Sequence, residues 1–150
     1  MIPVASAQLT STATPAAFFA RWADMATWPE WNTDTEWVRL DGPFATGSTG
    51  RLKPKGGPSV RFVVTSVVPG REFVDTSLLP GARLVFRHTV QALDAGGCSV
   101  DVAVTLDGPM ARVWKALLGK GFRANTQPDL DRLAVAAATS VGPVGPAGTA

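Results

Sequence analysis

At 150 residues the chain has the size of one domain, long enough to bury roughly 70% of the surface its unfolded form exposes. An apolar fraction of 45% beside 17% charged residues belongs to a folded globular chain and excludes intrinsic disorder. The lone cysteine, Cys98, closes no intramolecular disulfide, the lone histidine, His88, leaves no Cys/His set for structural zinc, and a net charge of +2 gives no electrostatic footprint for nucleic acid.

Residues 4–10 read as a first strand. Thr14-Pro15 follows, an N-cap with proline at the first helical position, and opens a helix whose apolar stripe is Phe18, Trp22 and Met25. Trp28-Pro29-Glu30-Trp31-Asn32 stops or redirects that helix, so two short helices or one broken helix are expected. Short β-rich runs then occupy 35–40, 50–53, 60–67, 72–77, 83–92 and 98–106. Gly42-Pro43, Gly47, Gly56-Gly57-Pro58, Pro69-Gly70, Pro80-Gly81 and Gly96-Gly97 punctuate them at hairpin spacing, too tight for crossover helices. The sheet is therefore expected to be a mainly antiparallel meander.

Gly108-Pro109 opens a last, long helix. Met110, Val113, Trp114, Leu117, Leu118 and Gly121 keep a 3.6-residue beat, which Leu130, Leu133 and Ala137 continue beyond Pro128. Pro128 removes a backbone donor and predicts a bend or a split. Residues 140–150, rich in Gly and Pro, are expected to be a disordered tail, leaving 1–139 as a single domain. Strand, short helices, antiparallel strands and long helix make an α+β fold, with a curved sheet of six or seven strands gripping the C-terminal helix. One helix does not fill such a sheet at its open end, so a cavity between helix and concave face is expected to hold the function.

Several segments together resemble a known superfamily: Trp28-Pro29-Glu30-Trp31-Asn32, the Gly42 to Gly50 turn, Val68-Pro69-Gly70-Arg71-Glu72-Phe73, Leu79-Pro80-Gly81-Ala82-Arg83-Leu84-Val85-Phe86-Arg87-His88, and Leu106-Asp107-Gly108-Pro109. The chain resembles, over residues 4 to 138, the SRPBCC or START-like superfamily with the helix-grip fold, in its polyketide cyclase/dehydrase and lipid-transport branch. The resemblance implies a pocket for a hydrophobic small molecule and no obligatory metal or nucleotide cofactor. It does not imply one reaction, because fold and function are loosely tied. The chain has no tyrosine, which removes a tyrosine-assisted cyclisation.

His88 is the central candidate. Strand alternation places it on one face with Leu84, Phe86 and Val90, and matching this face to that of Cys98, Val100, Val102, Val104 and Leu106 sets it opposite Val102. Apolar neighbours predict a neutral imidazole, able to act as a general base next to a ketone or to hydrogen-bond a ligand carbonyl; the alternative is a structural histidine paired inside the core. With Leu78-Leu79-Pro80-Gly81 as the hairpin loop, Asp75 pairs with Leu84 and stands about 13 Å from His88, too far for a dyad. Cys98 reads as a small buried hydrophobe lining the pocket, and Trp114, Leu118 and Phe122 as a platform on the last helix, with Asn125 a polar contact one turn on.

The leading reading is a cytoplasmic protein that binds a hydrophobic or aromatic small molecule through Phe62, Phe73, Phe86, His88, Cys98, Val102, Trp114, Leu118, Phe122 and Asn125. It carries no cofactor, no metal, no nucleic-acid partner and no membrane span, and is a monomer or weak homodimer. Cytoplasmic placement follows from a first segment, Met1-Ile2-Pro3-Val4, without a basic region or apolar run. The second reading is a cofactor-free cyclase or dehydratase, with His88 as base and Arg71 or Asn125 holding a developing enolate. A third is a ligand-free interaction module, dimerising through Trp28 and Trp31 if these are exposed.

Overall fold

In the computed structural model, which describes residues 1–139 with their side chains, the elements follow the expected order. They are β1 (Ile2–Ser11), α1 (Pro15–Ala23), a 3₁₀ segment (Met25–Glu30), β2 (Thr35–Leu40), β3 (Thr49–Pro54), β4 (Val60–Val68), β5 (Glu72–Leu79), β6 (Ala82–Ala92), β7 (Cys98–Asp107) and α2 (Ala111–Thr149). The expected Gly/Pro tail, 140–150, lies outside the described residues.

The seven strands form one antiparallel sheet in the order β1-β7-β6-β5-β4-β3-β2. After β1 the chain crosses the concave side through α1 and the 3₁₀ segment, then returns as a meander that ends beside β1. Thr14 caps α1 by accepting from the Ala17 N–H, and Pro15 follows it, so the first helix starts where its cap and proline dictate. Trp28-Pro29 continues as the 3₁₀ segment, and Trp28 and Trp31 are both buried against each other with ring centroids 5.6 Å apart. That burial corrects the expectation that they serve as an exposed dimer surface.

Of the expected bend or split at Pro128, the split does not occur; α2 runs through it without a break. Pro128 sits on the exposed side of the helix, while Leu130, Leu133 and Ala137 bury the opposite side. The beat of the first half also needs correcting. Met110, Val113 and Leu117 face solvent, whereas Trp114, Leu118 and Phe122 are half-buried toward the sheet.

The grip is fixed at several points. Trp114 Nε1 donates to the Pro80 carbonyl at 2.8 Å, Gln127 Nε2 to that of Gln8 at 3.1 Å, and Arg132 Nε to that of Trp31 at 3.1 Å. From 112 to 129 the only buried position of α2 is Gly119, and this half of the helix meets the sheet through Trp114, Phe122 and Gln127.

Gly50 shows how tightly the concave face packs elsewhere. A Cβ there would run into the Arg39 carbonyl and the ring of the buried Phe62. Gly50→Ala is expected to destabilise the protein by about 1–3 kcal/mol in urea denaturation, since backbone and a buried ring would both have to shift.

Candidate functional site

The concave face is built by strand alternation. Phe62 and Val64 on β4, Phe73, Asp75 and Ser77 on β5, Leu84, Phe86 and His88 on β6, and Val100, Val102 and Val104 on β7 share it, through the pairs Phe62 with Ser77, Phe73 with His88, and His88 with Val102. His88 thus stands opposite Val102, as the matching of apolar faces predicts.

The β5–β6 hairpin differs from expectation by two residues. Its loop is Pro80-Gly81 alone, with Leu79 paired to Ala82 and Asp75 paired to Phe86. Proline fixes φ at the first loop position and Gly81, at φ +72°, supplies the left-handed second position, the residue order of a type II turn. Asp75 therefore lies diagonally across from His88, with Oδ1 3.9 Å from Nδ1, instead of about 13 Å away. A bulge in β4 between Val64 and Ser66 places Thr65 outside this pair, where its hydroxyl donates to the Val74 carbonyl and leaves the inner face to Val64 and Asp75.

His88 is 8% exposed and stacked on Phe73, the ring centroids 4.8 Å apart and the planes 14° from parallel, with Trp22 at 5.3 Å. Its Nδ1 lies 3.0 Å from the Phe73 carbonyl oxygen, which can only accept, so Nδ1 carries the proton and Nε2 keeps the free lone pair. Burial pushes the imidazole down to about 4, opposed by that hydrogen bond. Burial also pushes the Asp75 carboxyl up to about 8, opposed by a backbone hydrogen bond. At neutral pH both groups are uncharged. Their 3.9 Å separation is within ion-pair range but beyond a hydrogen bond, and Nδ1 is already committed to Phe73, so the two are a neutral acid and a neutral base side by side.

Asp75 Oδ1 and Trp22 Nε1 are buried without a hydrogen-bond partner among the described residues. Sequence reasoning missed Asp75, Ser77 and Trp22 as site residues. The signal for Asp75 was the Pro-Gly pair, which reads as a two-residue loop and shifts the register toward it.

The other expected residues divide. Phe62 and Phe73 are fully buried in the core, while Phe86 packs edge-to-face on Phe122 with centroids 5.6 Å apart, and both remain half-buried, as do Trp114 and Leu118. Cys98 is fully buried with its thiol donating to the Ala13 carbonyl at 3.3 Å, so it is spoken for by the β1–α1 connection instead of lining a pocket. Asn125 Nδ2 donates to Asp34 Oδ2 at 2.6 Å, which uses that donor. Arg71 is exposed in the turn between β4 and β5, where its carbonyl accepts from the Val90 N–H.

A cleft of about 510 Å³ lies elsewhere, lined by Ile2, Arg112, Lys115, Ala116 and Arg123, on the β1 side of α2 and without any expected pocket residue. Among the described residues no group of three or more His, Cys, Asp or Glu stands together to hold a metal ion, and no helix is long and apolar enough to cross a membrane.

Solved structures share this architecture. A protein of Thermus thermophilus aligns with a TM-score of 0.69 at 13% identity, over 91% of this chain and 97% of that one. Ara h 8.0201 aligns with a TM-score of 0.63 at 14% identity, over 89% and 96%. The di-domain ARO/CYC StfQ from the steffimycin biosynthetic pathway aligns with a TM-score of 0.68 at 14% identity, over 91% of this chain and 51% of StfQ, about half its length. At these identities the likeness is one of fold. No curated protein matches the sequence. The family described as polyketide cyclase / dehydrase and lipid transport does match, across residues 4–138, nearly the whole chain. With the gripped helix and the seven-stranded sheet in place, the chain belongs to that polyketide cyclase/dehydrase and lipid transport family.

Proposed function

We propose that the protein binds a neutral hydrophobic or aromatic small molecule between the first half of α2 and the concave face, with Phe86, Trp114, Leu118 and Phe122 around the entrance and His88 at its inner end. The carrying observation is the uneven burial of inward-facing side chains. Phe86, Trp114, Leu118 and Phe122 stay half-buried along the first half of α2, whereas Phe73, Val100, Val104 and Leu133 are closed off completely. An apolar surface that remains accessible on the inner side of a fold gains roughly 25 cal/mol per Å² when a ligand covers it. The family description, naming both cyclase and lipid-transport members, supports a ligand of this kind.

2-Ethylnaphthalene is the test probe, followed by tryptophan fluorescence. One saturable site is expected, and Leu118→Trp, which fills the entrance, is expected to abolish it while leaving the unfolding free energy in urea within about 0.5 kcal/mol of wild type. Non-saturable uptake, or binding indifferent to Leu118→Trp, would contradict this reading.

The neutral imidazole with its unshared Nε2 lone pair favours a second reading, acid–base chemistry on a bound ketone. Nε2 takes a proton from the carbon next to the carbonyl, and the C–H electron pair moves onto the carbonyl oxygen as an enolate. In D₂O the methyl protons of 2-acetylnaphthalene should then exchange faster with protein than with buffer, and His88→Ala should remove the excess while still binding the ketone. Exchange at the buffer rate would sink the catalytic reading and leave the binding one standing.

A further inference from the structure

We propose that Asp75 is a ligand-contacting residue that donates a hydrogen bond to a carbonyl oxygen of the bound molecule, so that the site selects neutral carbonyl-bearing apolar molecules over hydrocarbons and over carboxylates. The inference rests on the binding reading above and assigns a polar anchor to the same site.

Three observations carry it. Asp75 is 4% exposed on the inner face, flanked across the ladder by Val64 and Phe86, and Oδ1 has no hydrogen-bond partner among the described residues. A carboxyl oxygen buried without a partner is among the costlier features a core can contain, and such groups concentrate where a ligand completes them. His88 is not that partner, because its Nδ1 is 3.9 Å away and already donates to Phe73.

Charge then decides the ligand class. The titratable groups on this inner face are Asp75, His88 and Cys98, and burial disfavours the charged form of all three. Among the described residues, no cation stands within ion-pair distance of Asp75 other than His88, if it were protonated. An ionised ligand would have to be buried without a counter-charge, whereas a neutral ketone accepts the carboxyl proton and costs no charge burial. Phe86, half-buried and directly opposite Asp75 on β6, is the side chain past which such a carbonyl would reach the carboxyl.

The test compares three probes of one size, 2-acetylnaphthalene, 2-ethylnaphthalene and 2-naphthoate, on wild type, Asp75→Leu and Asp75→Asn. Wild type is expected to bind the ketone about tenfold more tightly than the hydrocarbon, the worth of one well-made hydrogen bond, and to bind the carboxylate most weakly. Asp75→Leu should lose the ketone preference while keeping 2-ethylnaphthalene affinity, and Asp75→Asn, which retains an N–H donor of similar shape, should keep it. The carbonyl stretch of bound ketone should lie at lower frequency in wild type than in Asp75→Leu. A ketone preference absent in wild type, or surviving in Asp75→Leu, overturns the proposal while the binding reading stands. If none of the three probes binds wild type, the binding reading fails, and the proposal with it.

Discussion

Asp75→Asn is expected to make the protein more stable, by a margin that grows as pH rises from about 4 to about 8. Burial holds the folded carboxyl near 8 against an ordinary value of 3.8, and the folded imidazole near 4 against 6.5. Between about pH 4 and 6.5 the folded chain keeps one proton, on Asp75, and the unfolded chain keeps one, on His88. The counts match and the pair contributes no slope. From about 6.5 to about 8 the folded chain still holds its proton while the unfolded chain has none, so wild-type stability falls by about 1.4 kcal/mol per pH unit, roughly 2 kcal/mol across the window. In Asp75→Asn only His88 remains of the pair. The unfolded imidazole binds a proton that the folded one refuses between about 4 and 6.5, so the variant gains stability through that window and then levels off. Urea denaturation at pH 5, 6.5 and 8 reads this directly. A wild type with level stability from 6.5 to 8, matched by the variant at each pH, would show that Asp75 is ionised in the folded protein.

Phe73→Ala is the second large effect, a loss of about 3–5 kcal/mol. Phe73 is fully buried and is the hub of the aromatic cluster, with ring centroids 4.8 Å from His88, 4.9 Å from Phe44, 6.0 Å from Trp28 and 6.4 Å from Trp22. Truncation removes the face on which the imidazole stacks and opens a void between α1, the 3₁₀ segment and β5. The backbone carbonyl that accepts from His88 Nδ1 survives the substitution, so the imidazole should keep its tautomer while gaining freedom to tilt. Leu117→Ala, at an outward position of α2 that is 68% exposed, should move stability by no more than about 0.5 kcal/mol. Comparable losses for both substitutions would mean the core is not organised around Phe73.

These two residues also show where the sequence is readable. The Phe73 side of the sheet, the meander from β2 to β7 and the pairing of His88 with Val102 follow from alternation and glycine-rich turns, because a one-residue slip would turn every apolar side chain outward. A two-residue slip keeps alternation intact and is invisible to that argument. A loop that includes Leu78 and Leu79 is such a slip, and it carries Asp75 from beside His88 to a remote position. Turn chemistry carried the missing information, since Pro80-Gly81 suffices for the loop. On α2 the difficulty is different. Val113 and Leu117 keep the same spacing as Trp114 and Leu118, so periodicity alone does not say which pair faces the sheet; contact with Phe86 and the Pro80 carbonyl decides it. Cys98 and Asn125 look like pocket residues by position, and only their hydrogen bonds to Ala13 and Asp34 show that they are engaged elsewhere.

Because His88 is the only histidine, ¹⁵N NMR of labelled protein reports on one imidazole without assignment ambiguity. Titrating 2-acetylnaphthalene into that sample at pH 6 should show a neutral ring with its proton on Nδ1 and a saturable shift at Nε2 that tracks the tryptophan fluorescence. An imidazolium at pH 6, or ring nitrogens indifferent to a ligand that does bind, would place the ligand and the chemistry somewhere other than the gripped face.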